Sequence, residues 1–183
     1  MQTLGLADSA PRTEGRLKTL FWPSIQTADD VDYLGTQGFW ICVVVATFSL
    51  VLLAFSGHEI LGAAVFLLYF SGGVGVREHS RFAATVILIS YVADTIAGPG
   101  IVRIIIAAVL FSNLRGTWIA SQWNPGSSEA LPPPRLAETW WDKCSDAMPA
   151  WLWPKMRIPF YVFSFGFVAL EIVGAVVILR RHP

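Results

Sequence analysis

Charge is scarce in this sequence. Only 14% of its 183 residues are charged, where an ordinary soluble domain carries roughly 25%. The 13 Lys and Arg balance the 13 Asp and Glu, so the formal net charge is zero. That shortage and that balance exclude a basic nucleic-acid binder and a charge-rich disordered chain. Cysteine is nearly absent too. Cys42 and Cys144 are the two present, too few for a disulfide scaffold, and neither has a Cys or His neighbour at metal-ligand spacing. Both read as unpaired thiols. Catalytic signatures are missing as well. There is no HExxH, no nucleophile motif and no carboxylate pair. Gly73-Val74-Gly75-Val76-Arg77 lacks the preceding strand and the following Lys-Ser/Thr of a phosphate loop. His58 and Glu59 are adjacent and would point in different directions on a helix. No metal, cofactor or enzymatic activity is expected.

What is abundant is hydrocarbon. Hydrophobic residues make up 54% of the chain, and the mean hydropathy is +0.55. These figures fit an all-α polytopic transmembrane bundle. Five apolar runs are about long enough to cross a bilayer core, which takes roughly 20 helical residues. They cover 36–55, 60–76, 82–97, 101–120 and 158–179. Ser56-Gly57-His58-Glu59 joins the first two as an antiparallel hairpin, and Gly98-Pro99-Gly100 parts the third from the fourth. Proline breaks the helical ladder there and glycine permits the reversal. The third run is short and contains Asp94, so a re-entrant hairpin of the third and fourth runs is the alternative to two crossings. No apolar run lies near the start, because Asp8, Glu14, Asp29, Asp30 and Asp32 come first. The first run is therefore expected to be a retained span, not a secretory signal.

The chain divides into a cytoplasmic or interfacial segment over 1–35, four spans over 36–121, a Pro-rich linker and Trp-rich segment over 122–157, and a fifth span with a short tail over 158–183. Lys and Arg set the sidedness. Arg12, Arg16, Lys18, Arg77, Arg81, Arg135, Lys143, Lys155 and Arg157 fall on one side of five alternating helices, which makes that side and the N-terminus cytoplasmic. Arg180 and Arg181 oppose this assignment. Trp22, Trp40, Trp118, Trp123, Trp140, Trp141, Trp151 and Trp153 fall at or near span ends, where an indole's apolar ring and polar N–H suit the headgroup level. The stretch 136–155 has too many charges to cross and too many tryptophans for a free loop. It reads as a segment along the cytoplasmic surface. Asn124–Arg135, with its triple proline, reads as an extended spacer. Leu20-Phe21-Trp22-Pro23 and Trp151-Leu152-Trp153-Pro154 both precede a span. Two interfacial entry segments built by the same physics explain that likeness better than an internal duplication.

Ionisable groups at membrane depth are costly and mark candidate sites. Glu171, Arg103, Asp94, Asn113 and Arg115 form the candidate intramembrane polar network. Glu171, about 12 Å from the nearer end of its run, must be protonated or paired. A helix-packing contact is preferred over a proton or cation site. Asp94 and Arg103 flank Pro99 and are expected to clasp the hairpin as opposite charges. A link from Arg103 to Glu171 is the sharper alternative. Arg115 is placed to snorkel to the interface, and Asn113 needs an interhelical partner. Gly72, Gly73 and Gly75 are expected to permit close helix approach.

Phe111-Ser112-Asn113-Leu114-Arg115-Gly116-Thr117-Trp118 and Gln37-Gly38-Phe39-Trp40 resemble a group of uncharacterised small bacterial membrane proteins whose penultimate helix ends in an Arg-Gly-Thr-aromatic run. The resemblance implies a bacterial inner membrane and no activity. The expected function is that of a non-enzymatic accessory, scaffold or assembly component. Its partners are the lipid bilayer and either a membrane protein or a second copy of the chain, and not nucleic acid. The alternative is a small transporter or channel subunit built on Glu171.

Overall fold

The computed structural model describes residues 25, 28–98, 100–122 and 140–181. Among these the side chains of 28, 29, 97, 120–122, 142, 171, 172 and 174–181 lie outside the described set. Trp22 and Trp123 lie outside it altogether. The described residues form five helices and no strand: α1 Ala28–Phe55, α2 Glu59–Arg77, α3 Arg81–Ala97, α4 Ile101–Gln122 and α5 Trp140–Arg181. Three stretches are long and apolar enough to cross a membrane: Asp30–Phe55, Glu59–Arg77 and Ile101–Ile119.

The turns follow from local chemistry. α1 ends with Gly57 in the left-handed region at φ 76°, where a missing Cβ removes the steric cost. The amide of Gly57 donates to Ala54 O at 3.0 Å and that of His58 to Leu53 O at 2.8 Å, the paired closure that satisfies a helix's last carbonyls. α2 ends in the same way, with His79 at φ 55° in the glycine position. Its amide donates to Val76 O at 3.0 Å and that of Ser80 to Gly75 O at 2.9 Å. Ser80 then caps α3, its hydroxyl accepting from the Ala83 amide, so two helices meet across three residues.

Two helices begin before the apolar runs they contain. α1 starts at Ala28 and not near Thr36. Val31, Leu34, Gly35 and Gly38 are buried at helical spacing, and their packing carries the helix through the polar residues between them. α5 has no break at 157/158: one helix of 42 residues runs through Pro149, Pro154 and Pro159. Its length of about 63 Å is twice a hydrocarbon core, so roughly half of it must lie outside one.

α2 is the hub. It packs on α1, α3 and α5, while α4 packs on α1 and α3. Ser71 through Arg77 are all buried, which means that neighbours surround this part of α2. Its glycines admit them. A Cβ on Gly73 would lie 2.6 Å from Cys42 Cβ of α1, and one on Gly75 would lie 2.5 Å from Ala83 Cβ of α3 and 2.5 Å from the Trp153 ring of α5. Gly72 faces Ile87 and Phe160. The core that results includes Phe39, Cys42, Leu68, Tyr69, Ile87, Trp153 and Phe160.

The surface is more apolar than that of a water-soluble protein, and several polar groups lie inside beside the apolar core. Val44, Phe48, Leu52, Phe55, Ile60, Ile101, Val102, Phe165 and Leu170 are exposed, while Arg77, Ser90, Ser112, Asn113, Thr117, Ser145 and Ser164 are buried. Apolar surface on this scale is costly in water and free in lipid.

Candidate functional site

The most heavily built polar feature is an ion cluster around Arg77. The last residue of α2 is only 3% exposed, and a guanidinium survives such burial only when its donors are met. Nη1 donates to Asp32 Oδ1 at 2.7 Å and Nη2 to Asp32 Oδ2 at 3.3 Å, a two-pronged pairing with α1. Nη2 also reaches Asp146 Oδ1 of α5, and Nε donates to the Ser145 carbonyl at 3.2 Å. A planar fork is suited to serving two carboxylates and a carbonyl at once. His79 closes the site on another side: a Cβ on Gly35 would lie 3.1 Å from His79 Cε1 and 3.5 Å from Arg77 Nη1. The cluster thus ties the ends of α1, α2 and α5 together.

The contacts of α5 show how it reaches Arg77. Phe160 lies by Gly72, and Trp153 by Gly75 and Ala83. Ser145 and Asp146 meet Arg77, and the ring of Trp141 lies 5.2 Å from that of Trp40 on α1. Residues 39 and 42 of α1 face Gly73, so Trp40 stands at the same level as residues 73–77 of α2. From Phe160 back to Ser145, α5 advances about 22 Å, while its partners on α2 advance only about 7 Å, from Gly72 to Arg77. Its first half therefore crosses the end of the bundle as a strap, passing outside α2 from α3 towards α1. Pro149, Pro154 and Pro159 all fall in this stretch. Ser145, Pro149, Trp153, Phe160 and Ser164 form its buried face.

The residues proposed from sequence separate. Arg103 does clasp the α3–α4 hairpin, but through backbone and not through the Asp94 carboxylate. Its Nη1 donates to Asp94 O at 2.8 Å and to Gly98 O at 2.9 Å, meeting carbonyls at a helix C-terminus, where cations are favoured. Asp94 Oδ2 instead accepts from the Tyr69 hydroxyl of α2 at 3.2 Å. Arg103→Met is expected to destabilise the chain by about 1 kcal/mol, measured by thermal unfolding in detergent, and Asp94→Asn by less than half of that. Equal losses would restore the charge–charge clasp.

Asn113 is buried against Gly38 of α1. Its Nδ2 donates to Val109 O at 3.0 Å, and its Oδ1 has no partner among the described residues. Arg115 is half-buried. Glu171 lies on α5, and its side chain is outside the described set, so the Glu171–Arg103 link falls there too.

Of the tryptophans, Trp118, Trp140, Trp141 and Trp151 are exposed and Trp40 is half-buried. Trp153 is corrected from interfacial anchor to core residue. It is 9% exposed, because Gly75 and Ala83 leave a slot that its indole fills.

Sequence reading missed the Arg77 cluster. Asp32 and Asp146 lie 45 and 69 residues from Arg77, too far apart for any local pattern to join them. One signal was present: Val31, Leu34, Gly35 and Gly38 recur at helical spacing, which extends α1 past Asp32 and so brings that carboxylate onto a packed helix. Comparison with family models, with curated proteins and with solved structures finds no match.

Proposed function

We propose that the chain is a five-span membrane protein of the bacterial inner membrane, with its N-terminus and the linker over 123–139 in the cytoplasm. In this reading it serves as a non-enzymatic accessory, scaffold or assembly component whose Trp-rich strap is held ready at the cytoplasmic surface. The observation that carries this is the Arg77 cluster. Its charges are turned on one another, and what they accomplish is to fix the strap to the ends of two spans. That is construction.

The count of five rests on register. Ala83 and Ile87 of α3 face Gly75 and Gly72 of α2, so the far end of α3 comes within about a turn of the start of α2. α3 then crosses the layer that α2 crosses, which favours two crossings over a re-entrant hairpin.

Alkaline carbonate washing is expected to leave the chain in the membrane pellet. Accessibility tags at residues 57, 98 and 130 are expected to read outside, outside and inside. A tag at 98 reached from neither side would favour the re-entrant hairpin. Gentle detergent extraction of the tagged full chain is expected to recover a stoichiometric membrane companion or a second copy. Recovery of a lone monomer would overturn the scaffold reading.

A further inference from the structure

We infer that the outward face of the strap binds the headgroups of anionic phospholipids. The inference rests on the membrane reading above and adds a ligand class to it. Among the described residues the strap is bound on one side only. Its inner face is taken up by α2 and α3 through Trp153 and by Arg77 through Ser145 and Asp146. Its outer face carries Trp140 and Trp151, which are 68% and 61% exposed. Lys143 and Lys155 are exposed on the same segment. Two large indoles held open in this way, beside a Trp141 that rests on Trp40 of α1, are costly in water.

Position then selects the ligand. The strap passes from α3 across the end of α2 to α1. It stays level with Trp40 and residues 73–77, at the end of a span. That is headgroup depth, where indole rings and lysines concentrate. Asp146 is turned inward onto Arg77, and Lys143 and Lys155 are exposed; the side chain of Asp142, the other acid of the segment, is outside the described set. Lys155 holds its ammonium 3.9 Å over the Trp151 ring. A cation resting on an aromatic face keeps its charge and is not neutralised, so it remains available to a phosphate oxygen at the ring's edge. Lysines of this kind attract acidic leaflets at about 1 kcal/mol each.

The test uses the purified full chain in neutral detergent, with lipid occupancy read by native mass spectrometry during titration with phosphatidylglycerol or phosphatidylcholine. Wild type is expected to prefer phosphatidylglycerol, and Lys143→Gln/Lys155→Gln to lower that preference about 25-fold, or fivefold per lysine. Affinity for phosphatidylcholine and the unfolding midpoint in it should be unchanged. Should the double variant fold poorly, Lys155→Gln alone and the loss of wild-type preference in high salt carry the test. Inorganic phosphate that competed as well as the lipid would overturn the inference in favour of a free-anion site. No lipid preference in wild type, or one untouched by the substitutions, would also overturn it. A chain that pellets with membranes yet shows no preference refutes this inference alone, whereas one that stays in the supernatant without detergent refutes the membrane reading beneath it.

Discussion

Arg77→Met lowers the unfolding free energy by about 3 kcal/mol, at the low end of what breaking a buried ion pair costs. The size follows from asymmetry. The guanidinium side chain is 2% exposed, whereas the Asp32 and Asp146 side chains are 32% and 24% exposed. Removing the arginine strands two carboxylates that can rehydrate in part, which keeps the loss from being larger. Asp146→Asn leaves Arg77 its two-pronged pairing with Asp32 and should cost about 1–2 kcal/mol. Asp32→Asn combined with Asp146→Asn leaves a buried cation unpaired, so the pair should cost more than the sum of the singles. Thermal or denaturant unfolding in detergent, arranged as a double-mutant cycle, reads all four forms. Additive losses, or an Arg77→Met variant within 0.5 kcal/mol of wild type (about a twofold change in the equilibrium constant), would show that the cluster does not hold the strap. Loss of the cluster should also expose the strap to protease before the rest of the chain unfolds.

Gly75→Ala is expected to be nearly as damaging, at about 3 kcal/mol, the upper part of the range for overpacking. One methyl group would meet Ala83 Cβ at 2.5 Å on one side and the Trp153 ring at 2.5 and 2.7 Å on the other. Ala83 Cβ is fixed to a helix backbone and cannot swing away, and Trp153 is wedged by Phe160 with its ring centroid 5.9 Å off. α2 must then part from α3 or from α5. Gly73→Ala meets Cys42 Cβ at 2.6 Å and should follow in severity. Gly166→Ala is the control. Nothing lies within 4 Å of its added Cβ, and alanine is the better helix former by up to about 1 kcal/mol, so stability should hold or rise. If all three substitutions behaved alike, close approach would not be what α2's glycines provide.

The helical class and most helix ends were legible in the sequence because they depend on local chemistry. Apolar runs of bilayer length, the Ser56-Gly57-His58-Glu59 hairpin and the Gly98-Pro99-Gly100 break each act within a few residues, and α2, α3 and the start of α4 fall within one residue of where those signals put them. The role of Gly72, Gly73 and Gly75 was legible too, since small residues in an apolar helix have few other uses. The hidden part was whatever depends on a partner distant in the chain. Asp32 and Asp146 are unremarkable acids until folding brings both to Arg77. Arg103 was foreseen as a clasp but not for its choice of carbonyls, because a hairpin's pitch decides which acceptor the guanidinium reaches. Trp153 was indistinguishable from Trp151 by composition, and only the helix rotation set by Ser145, Pro149 and Phe160 turned one inward and the other out. Composition and short-range pattern alone thus determined that this chain is all-helical and suited to lipid. Tertiary structure decided which of its few charges are buried together, since burial is a property of neighbours and neighbours are set by packing.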